Sequence, residues 1–201
     1  HCHLLYHMKS GMARLIHYQN FSPDPDGQSV RHTLYKDPWY FWGKVDALSN
    51  MTEGFLTASN TRIALNASWE VGWQQVDDTE WEGIVTAGWH ANRFNSVFAG
   101  VDVTGDGSEK GEVLGIIGLS CLLPLNLKTS AWVDTDGEAR FMMKKELELT
   151  PRLGFHGEVE YDTQEAWEGA VSLDYMLNRH VSIKGKWHSD FGFGAGLQIR
   201  F

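Results

Sequence analysis

The run His1-Cys2-His3-Leu4-Leu5-Tyr6-His7-Met8-Lys9-Ser10-Gly11-Met12 gathers a thiol, three imidazoles and a spaced thioether into one short segment. Core packing gives no reason for that set. A thiolate with imidazoles on either side, a third imidazole at His7 and a thioether at Met12 supplies the parts of a His2Cys copper centre with a weak axial Met. The alternation matters as much as the ligand types. On an extended segment the neighbours of Cys2 point away from it, so His1 and His3 would serve a different metal from the one Cys2 binds. The expected cofactor is copper, with the segment bridging two copper centres.

The pattern H-C-H-x3-H-x4-M resembles the last ligand segment of the multicopper oxidases, with every ligand position filled. The resemblance implies a type 1 copper held by Cys2, His7 and Met12, and a trinuclear cluster reached by His1 and His3. Such an oxidase also needs an upstream histidine and further H-x-H pairs, and no other H-x-H occurs among the nine histidines. His1 has neither an initiator Met nor a signal peptide before it, so the chain is expected to be the C-terminal piece of a longer protein. Oxidase catalysis by this chain alone is not expected. Residues 1–20 therefore read as an oxidase remnant. Residues 21–36, which contain Ser22-Pro23-Asp24-Pro25-Asp26-Gly27-Gln28-Ser29, read as a linker rich in turn formers.

These ligands need elements to position them, and the remaining sequence bounds what those elements are. With 201 residues and a formal charge of −9, the chain has room for one large or two small domains and no basic surface for nucleic acid. Two cysteines, one of them in the copper motif, give no disulfide framework. Cys121 is expected unpaired in an apolar strand. The apolar stretch Val113 to Leu125 is broken by Gly, Ser and Pro124 and falls short of the roughly 20 residues that a spanning helix needs. Hydropathy misses barrels, however, because lipid-facing and lumen-facing residues alternate and average out.

Alternation is what residues 39–201 show. From Arg152, the positions Leu153, Phe155, Gly157, Val159 and Tyr161 oppose Arg152, His156, Glu158, Glu160 and Asp162. Trp167, Val171, Leu173 and Tyr175 then oppose Glu168, Ser172 and Asp174; Val181, Ile183 and Trp187 oppose Lys184, Lys186 and His188; and Phe193, Leu197, Ile199 and Phe201 close the series. The same period runs through Ile63 to Trp73 and Trp81 to Trp89. Turn formers at hairpin spacing divide the region into about twelve antiparallel strands, near 39–48, 53–59, 62–76, 79–91, 94–104, 110–123, 125–134, 138–149, 152–162, 165–177, 179–188 and 190–201. Ten strands result if 53–76 is one bent strand. Each segment is close to the length of about 9–11 residues that a tilted membrane strand requires.

A soluble sandwich also alternates, and the aromatic residues separate the two readings. Nine Trp, six Tyr and ten Phe are available, with Trp39, Trp73, Trp81, Trp89, Trp167, Tyr175 and Trp187 at strand ends, where membrane girdles form. The polar face carries both signs on facing strands: Arg140, Lys144, Glu146 and Glu148 beside Arg152, His156, Glu158 and Glu160, then Lys184 and Lys186. Such a set can neutralise itself across a narrow lumen. In hydrocarbon every strand N–H and C=O must be paired, so the sheet has to close. A terminal Phe201 after Leu197 and Ile199 resembles the recognition signal of bacterial outer-membrane barrels. The expected fold is all-β, an antiparallel transmembrane β-barrel in the outer membrane over residues 37–201, in contact with its lipid.

Residues 94–162 carry a second resemblance, strongest at Phe94 to Asp106, Leu125 to Val133, Gly137 to Phe141 and Glu146 to Leu153. They look like the barrel of the copper resistance protein B family, although the Met- and His-rich N-terminal region common in that family has no counterpart here. The resemblance implies an outer-membrane protein with copper ions as its cargo and a periplasmic multicopper oxidase, fused or neighbouring, as its partner. It implies copper binding or export by ligand exchange along His, Met and carboxylate groups. The lumenal candidates are His90, His156, Glu158, Glu160, Met142 and His188. A structural or general-porin barrel is the alternative, and a soluble lipocalin-like barrel a third.

Other signals read more plainly. Asp102-Val103-Thr104-Gly105-Asp106-Gly107 has the look of a calcium loop, but Val113 stands where the bidentate Glu is needed, so a hairpin loop over Thr104 to Lys110 is expected. His188-Ser189-Asp190 names a hydrolase triad, yet consecutive strand residues face opposite ways. Of Met142 and Met143, only Met142 is expected in the lumen. Histidines 90, 156, 180 and 188 are expected there chiefly as charge-network members.

Overall fold

A computed structural model describes residues 36–107, 111–163 and 166–201. Residues 1–35, with the whole copper motif and most of the linker, lie outside the described residues, so the ligand assignments to His1, Cys2, His3, His7 and Met12 have no structural counterpart here. Over Pro38–Phe201 the chain forms twelve strands: β1 (Tyr40–Leu48), β2 (Met51–Ser59), β3 (Ile63–Gly72), β4 (Glu80–His90), β5 (Asn95–Asp106), β6 (Glu112–Leu123), β7 (Leu127–Asp134), β8 (Ala139–Thr150), β9 (Leu153–Asp162), β10 (Ala166–Met176), β11 (Val181–His188) and β12 (Gly192–Arg200). Each pairs antiparallel with its sequence neighbours, and β1 pairs with β12, so the barrel is closed. The ten-strand alternative is thereby corrected. Met51–Ser59 and Ile63–Gly72 form a hairpin in register from Met51↔Gly72 to Ser59↔Ala64, and Asn60 closes its turn by accepting the main-chain N–H groups of Arg62 and Ile63.

Several strand ends differ from the alternation reading, each for a local reason. β3 stops at Gly72 and not near residue 76, because the Phe191 ring lies over Gly72 and Gln75 takes a positive φ of 67°. β7 starts at Leu127, because Leu125 and Asn126 sit in the left-handed region, which no strand tolerates. β5 runs on to Asp106, where Glu80↔Asp106 and Thr104↔Glu112 extend the ladders. Thr104, Gly105 and Asp106 are therefore strand residues and not part of the expected hairpin loop. The longest described connection, 73–79, lies at the end opposite Tyr40 and Phe201, the end at which β5 finishes and β6 begins. By the asymmetry of outer-membrane barrels, this is the extracellular end.

The lumenal set is even-numbered in every strand except β2, where the tight connection at Ser49-Asn50 shifts the phase and turns Glu53 and Phe55 inward. The outward set is apolar: Leu65, Val85, Ile117, Leu119, Val171, Ile183 and Leu197 are all exposed. Trp73, Trp81, Trp167 and Trp187 ring the extracellular end, while Trp39, Trp89, Tyr175 and Phe201 ring the other. The outward apolar side chains are thus set to face lipid, and the exposed aromatic residues at the strand ends sit where rings prefer the interface.

The closing seam depends on glycines. The Gly43 N–H donates to the Phe201 carbonyl (2.9 Å) and the Phe201 N–H to the Gly43 carbonyl (3.1 Å), completing a ladder that runs through Lys44↔Arg200 to Leu48↔Gly196. On the lumenal side of β12, Gly192, Gly194 and Gly196 present no side chain. The Asn50 amide lies over this bare strip and donates to the carbonyls of Phe191 and Gly192 (3.1 Å each). A Cβ on Gly196 would stand 1.9 Å from the Ala47 carbonyl oxygen, which is backbone and cannot swing away. Gly196→Ala is accordingly expected to weaken the β1–β12 closure by about 1–3 kcal/mol, the usual range for overpacking. The check is the temperature at which the compact, unboiled form is lost on an electrophoresis gel; an unchanged temperature refutes this role of the strip.

Candidate functional site

The bare strip of β12 lets lumenal side chains of β11 and β1 meet across it. Lys184 Nζ donates to Asp46 Oδ2 (2.5 Å) and to Glu53 Oε1 (2.8 Å), and Lys186 Nζ donates to Glu53 Oε2 (2.6 Å). Lys44 adds a longer approach to Asp46 at 3.5 Å, and Lys186 one to Glu70 at 3.8 Å. Asp46 is fully buried, and Lys184 and Lys186 are only 3% and 4% exposed. Charges this dry are tolerated only when paired. On the facing wall Lys144 Nζ stands 2.6 Å from Glu158 Oε1. Towards the end that carries Phe201, His156 Nε2 shares a 2.6 Å hydrogen bond with Asp174 Oδ1, whose other oxygen accepts from Arg200 Nη2 at 2.7 Å.

These groups leave a central cavity of about 300 Å³ lined by Lys44, Lys128, Lys144, Lys145, Lys184 and Lys186 against Glu53, Glu70, Glu82, Glu146, Glu158, Glu160 and Glu168, with Met142, His156 and His188. It is a balanced, lysine-rich constriction. Not all of the lumen is polar: Phe98 and Trp132 meet edge to face at 6.3 Å, the Arg140 guanidinium lies 5.6 Å over the Trp132 ring, and Ile116 is buried. These inward apolar groups on β5, β6 and β7 sit at even positions, which elsewhere in the barrel carry mostly polar residues.

Above the constriction, at the extracellular end, a vestibule of about 900 Å³ is far more acidic. Its lining includes Glu70, Glu80, Glu82, Asp102, Asp106, Glu112, Asp134, Asp136, Glu138, Glu160, Asp162, Glu168 and Asp190, against Arg140 as the one lysine or arginine among the described lining residues. Arg140 is shared: its Nε lies 2.8 Å from Asp162 Oδ2 and 3.2 Å from Glu160 Oε1, and its Nη1 binds Glu82 and lies 3.5 Å from Asp102 Oδ2. Asp102 is 3% exposed, and its Oδ1 has no hydrogen-bond partner. A low-dielectric wall carrying one sign of charge focuses field lines and concentrates counter-ions. This mouth attracts cations and repels anions.

The structure brings five of the six expected lumenal candidates to one cavity. Met142, His156, Glu158, Glu160 and His188 all line the central cavity, Glu160 and His188 at its border with the vestibule, whereas His90 ends β4 near the opposite end. His180 sits in the turn after β10, exposed, with Nδ1 3.0 Å from the Arg200 carbonyl. His188 and Asp190 do share a side, because Ser189 and Asp190 belong to the turn after β11 and not to the strand. Ser189 Oγ accepts from the Gly169 N–H at 3.3 Å. The vestibule carboxylates on β4 and β5, and Asp46 and Glu53 in the network, were not among the expected candidates. The even-position rule would have reached Glu82 and Asp102; Glu53 was hidden by the phase shift at Ser49-Asn50.

No protein-family model matches the chain, and no curated protein matches its sequence. Solved structures do match. A KdgM porin in complex with disordered oligogalacturonate superposes with a TM-score of 0.52 at 12% identity, over 80% of this chain and 98% of that one. Outer membrane phospholipase A from Escherichia coli gives 0.50 at 12% identity, over 82% and 90%. The chain is an outer-membrane β-barrel. At such identities the likeness concerns the fold alone, so what this barrel handles has to be argued from its own lumen.

Proposed function

We propose that this outer-membrane barrel is a copper resistance protein that binds copper ions at its extracellular vestibule and helps to export them, working with a periplasmic multicopper oxidase. The observation that carries the reading is the acid-lined mouth, with its one arginine shared among four carboxylates. Copper ions are cations, and the carboxylates and imidazole of the vestibule are among the ligands that Cu(II) accepts. The Cys2, His7 and Met12 set, with His1 and His3, supports copper over other cations because its parts are those of a type 1 site bridged to a second centre. Lysines below the vestibule oppose free passage of cations, so the proposed mechanism is capture and ligand exchange, with no bond-breaking chemistry by this chain.

The alternative is a general porin. The likeness to a porin complexed with an anionic oligosaccharide favours it, and the sign of the mouth opposes it. Equilibrium dialysis of the detergent-purified full chain against Cu(II), and separately against oligogalacturonate, distinguishes the two. Copper is expected to be retained and oligogalacturonate not. Retention of the anion, or of neither solute, would overturn the copper reading.

A further inference from the structure

A single group of ligands among the described residues brings an imidazole together with two carboxylates. Glu168 on β10, His188 at the end of β11 and Asp190 in the following turn each offer a ligand atom, and these atoms lie within 4.8 Å of one another. The turn is pinned to β10 by the Ser189 N–H, which donates to the Gly169 carbonyl at 2.9 Å, so Glu168 is held opposite Asp190. We infer that Glu168, His188 and Asp190 form a site for one divalent transition-metal ion on the vestibule wall, best filled by Cu(II).

The inference rests on the copper reading only for which metal arrives. The site itself stands on its geometry. His188 is 6% exposed, and its ring stacks on Phe191 with centroids 5.0 Å apart, so its orientation is fixed before any metal binds. Asp190 Oδ2 approaches Nδ1 at 3.7 Å, and Glu70 Oε1 approaches Nε2 at 3.4 Å from the other side. A metal on the Nδ1 flank leaves the Nε2–H to donate to Glu70, the carboxylate–histidine–metal arrangement that orients metal-ligating imidazoles. The main-chain N–H of Asp190 now reaches Nδ1 at 3.3 Å, beyond the usual range, so a metal displaces a weak contact. Asp190 is exposed and opens the site to the vestibule, while Glu168 is half-buried. One nitrogen and two oxygens suit borderline metals, for which the affinity order at a fixed donor set peaks at Cu(II). The vestibule around it is acidic on independent grounds, with Arg140 the one lysine or arginine among its described lining residues.

The test is metal stoichiometry and affinity on the detergent-purified full chain, titrated with Cu(II) and then Ni(II), comparing wild type with His188→Ala and with the double variant Glu168→Gln, Asp190→Asn. The double variant keeps side-chain size, and unboiled gel mobility confirms that each barrel is closed. His188→Ala is expected to lose about one copper per chain, and the double variant to weaken that same equivalent at least about tenfold. Cys2→Ser is expected to retain it, and with it the electron-spin coupling to the His188 nitrogen. If both lumenal variants bind copper with wild-type stoichiometry and affinity, the site is overturned while the copper reading survives. If the equivalent is lost as expected but cells gain no copper tolerance from the barrel, the site stands and the copper reading falls.

Discussion

Replacing Lys184 with methionine is expected to destabilise the barrel by about 3–5 kcal/mol, the range for breaking a buried ion pair by removing one partner. Lys184 is the common donor to Asp46 and Glu53, and Asp46 has no exposed surface from which water could replace it. Glu53 keeps Lys186 at 2.6 Å, whereas Asp46 keeps only Lys44 at 3.5 Å. The loss therefore falls mostly on Asp46. Removing both charges in Lys184→Met with Asp46→Asn is expected to recover much of the deficit, because a neutral pair carries no unpaired charge into the lumen. Urea unfolding of both variants in detergent, followed by tryptophan fluorescence, measures this. A single variant as stable as wild type would show that the pair across the β12 glycines adds nothing to closure.

The second large effect is expected at Arg140. Four carboxylates, Glu82, Asp102, Glu160 and Asp162, converge on this guanidinium from β4, β5 and β9. Arg140→Gln leaves them facing one another in a partly buried pocket, and a loss of about 3–5 kcal/mol is expected. Unlike the Lys184 variant, this one should be rescued by ligand. A divalent cation that binds the folded pocket and not the unfolded chain stabilises by mass action, about 2.7 kcal/mol at a hundred times its dissociation constant. The unfolding midpoint of Arg140→Gln is therefore expected to rise steeply with added Ca(II) or Cu(II), and that of wild type only weakly. Equal responses in the two proteins would contradict the reading of the vestibule as a cation-attracting field that Arg140 partly neutralises.

Much of the barrel was legible because membrane strands obey a period of two and turn formers punctuate them. Leu153 to Asp162 and Trp167 to Tyr175 declare both faces at once, and the exposed Trp73, Trp81, Trp89 and Trp187 bear out the girdles. Where local backbone geometry overrides the pattern, the reading slips. Positive φ at Leu125 and Asn126 delays β7, and the tight turn at Ser49-Asn50 inverts the phase of β2, hiding Glu53. The site was less legible than the fold. His156 and Glu158 share the lumen, but their partners Asp174 and Lys144 come from register, which sequence alternation does not carry. Glu168, His188 and Asp190 come together only because β11 ends at His188 and its turn folds back on Gly169. Trp132 and Phe98 face inward against the general rule, since Gly118 beside them leaves room in the lumen that these side chains fill.

On the reading proposed above, the barrel handles copper through its acidic mouth. The most direct test of that claim is the copper tolerance of Gram-negative cells carrying the full chain, with and without neutralisation of Glu82, Asp102 and Glu168 to their amides, after outer-membrane assembly of each form is verified. Cells with the wild-type chain are expected to grow at copper concentrations that arrest cells lacking it, and the neutralised chain is expected to give little of that protection. Equal growth of all three strains across the copper range would contradict the claim.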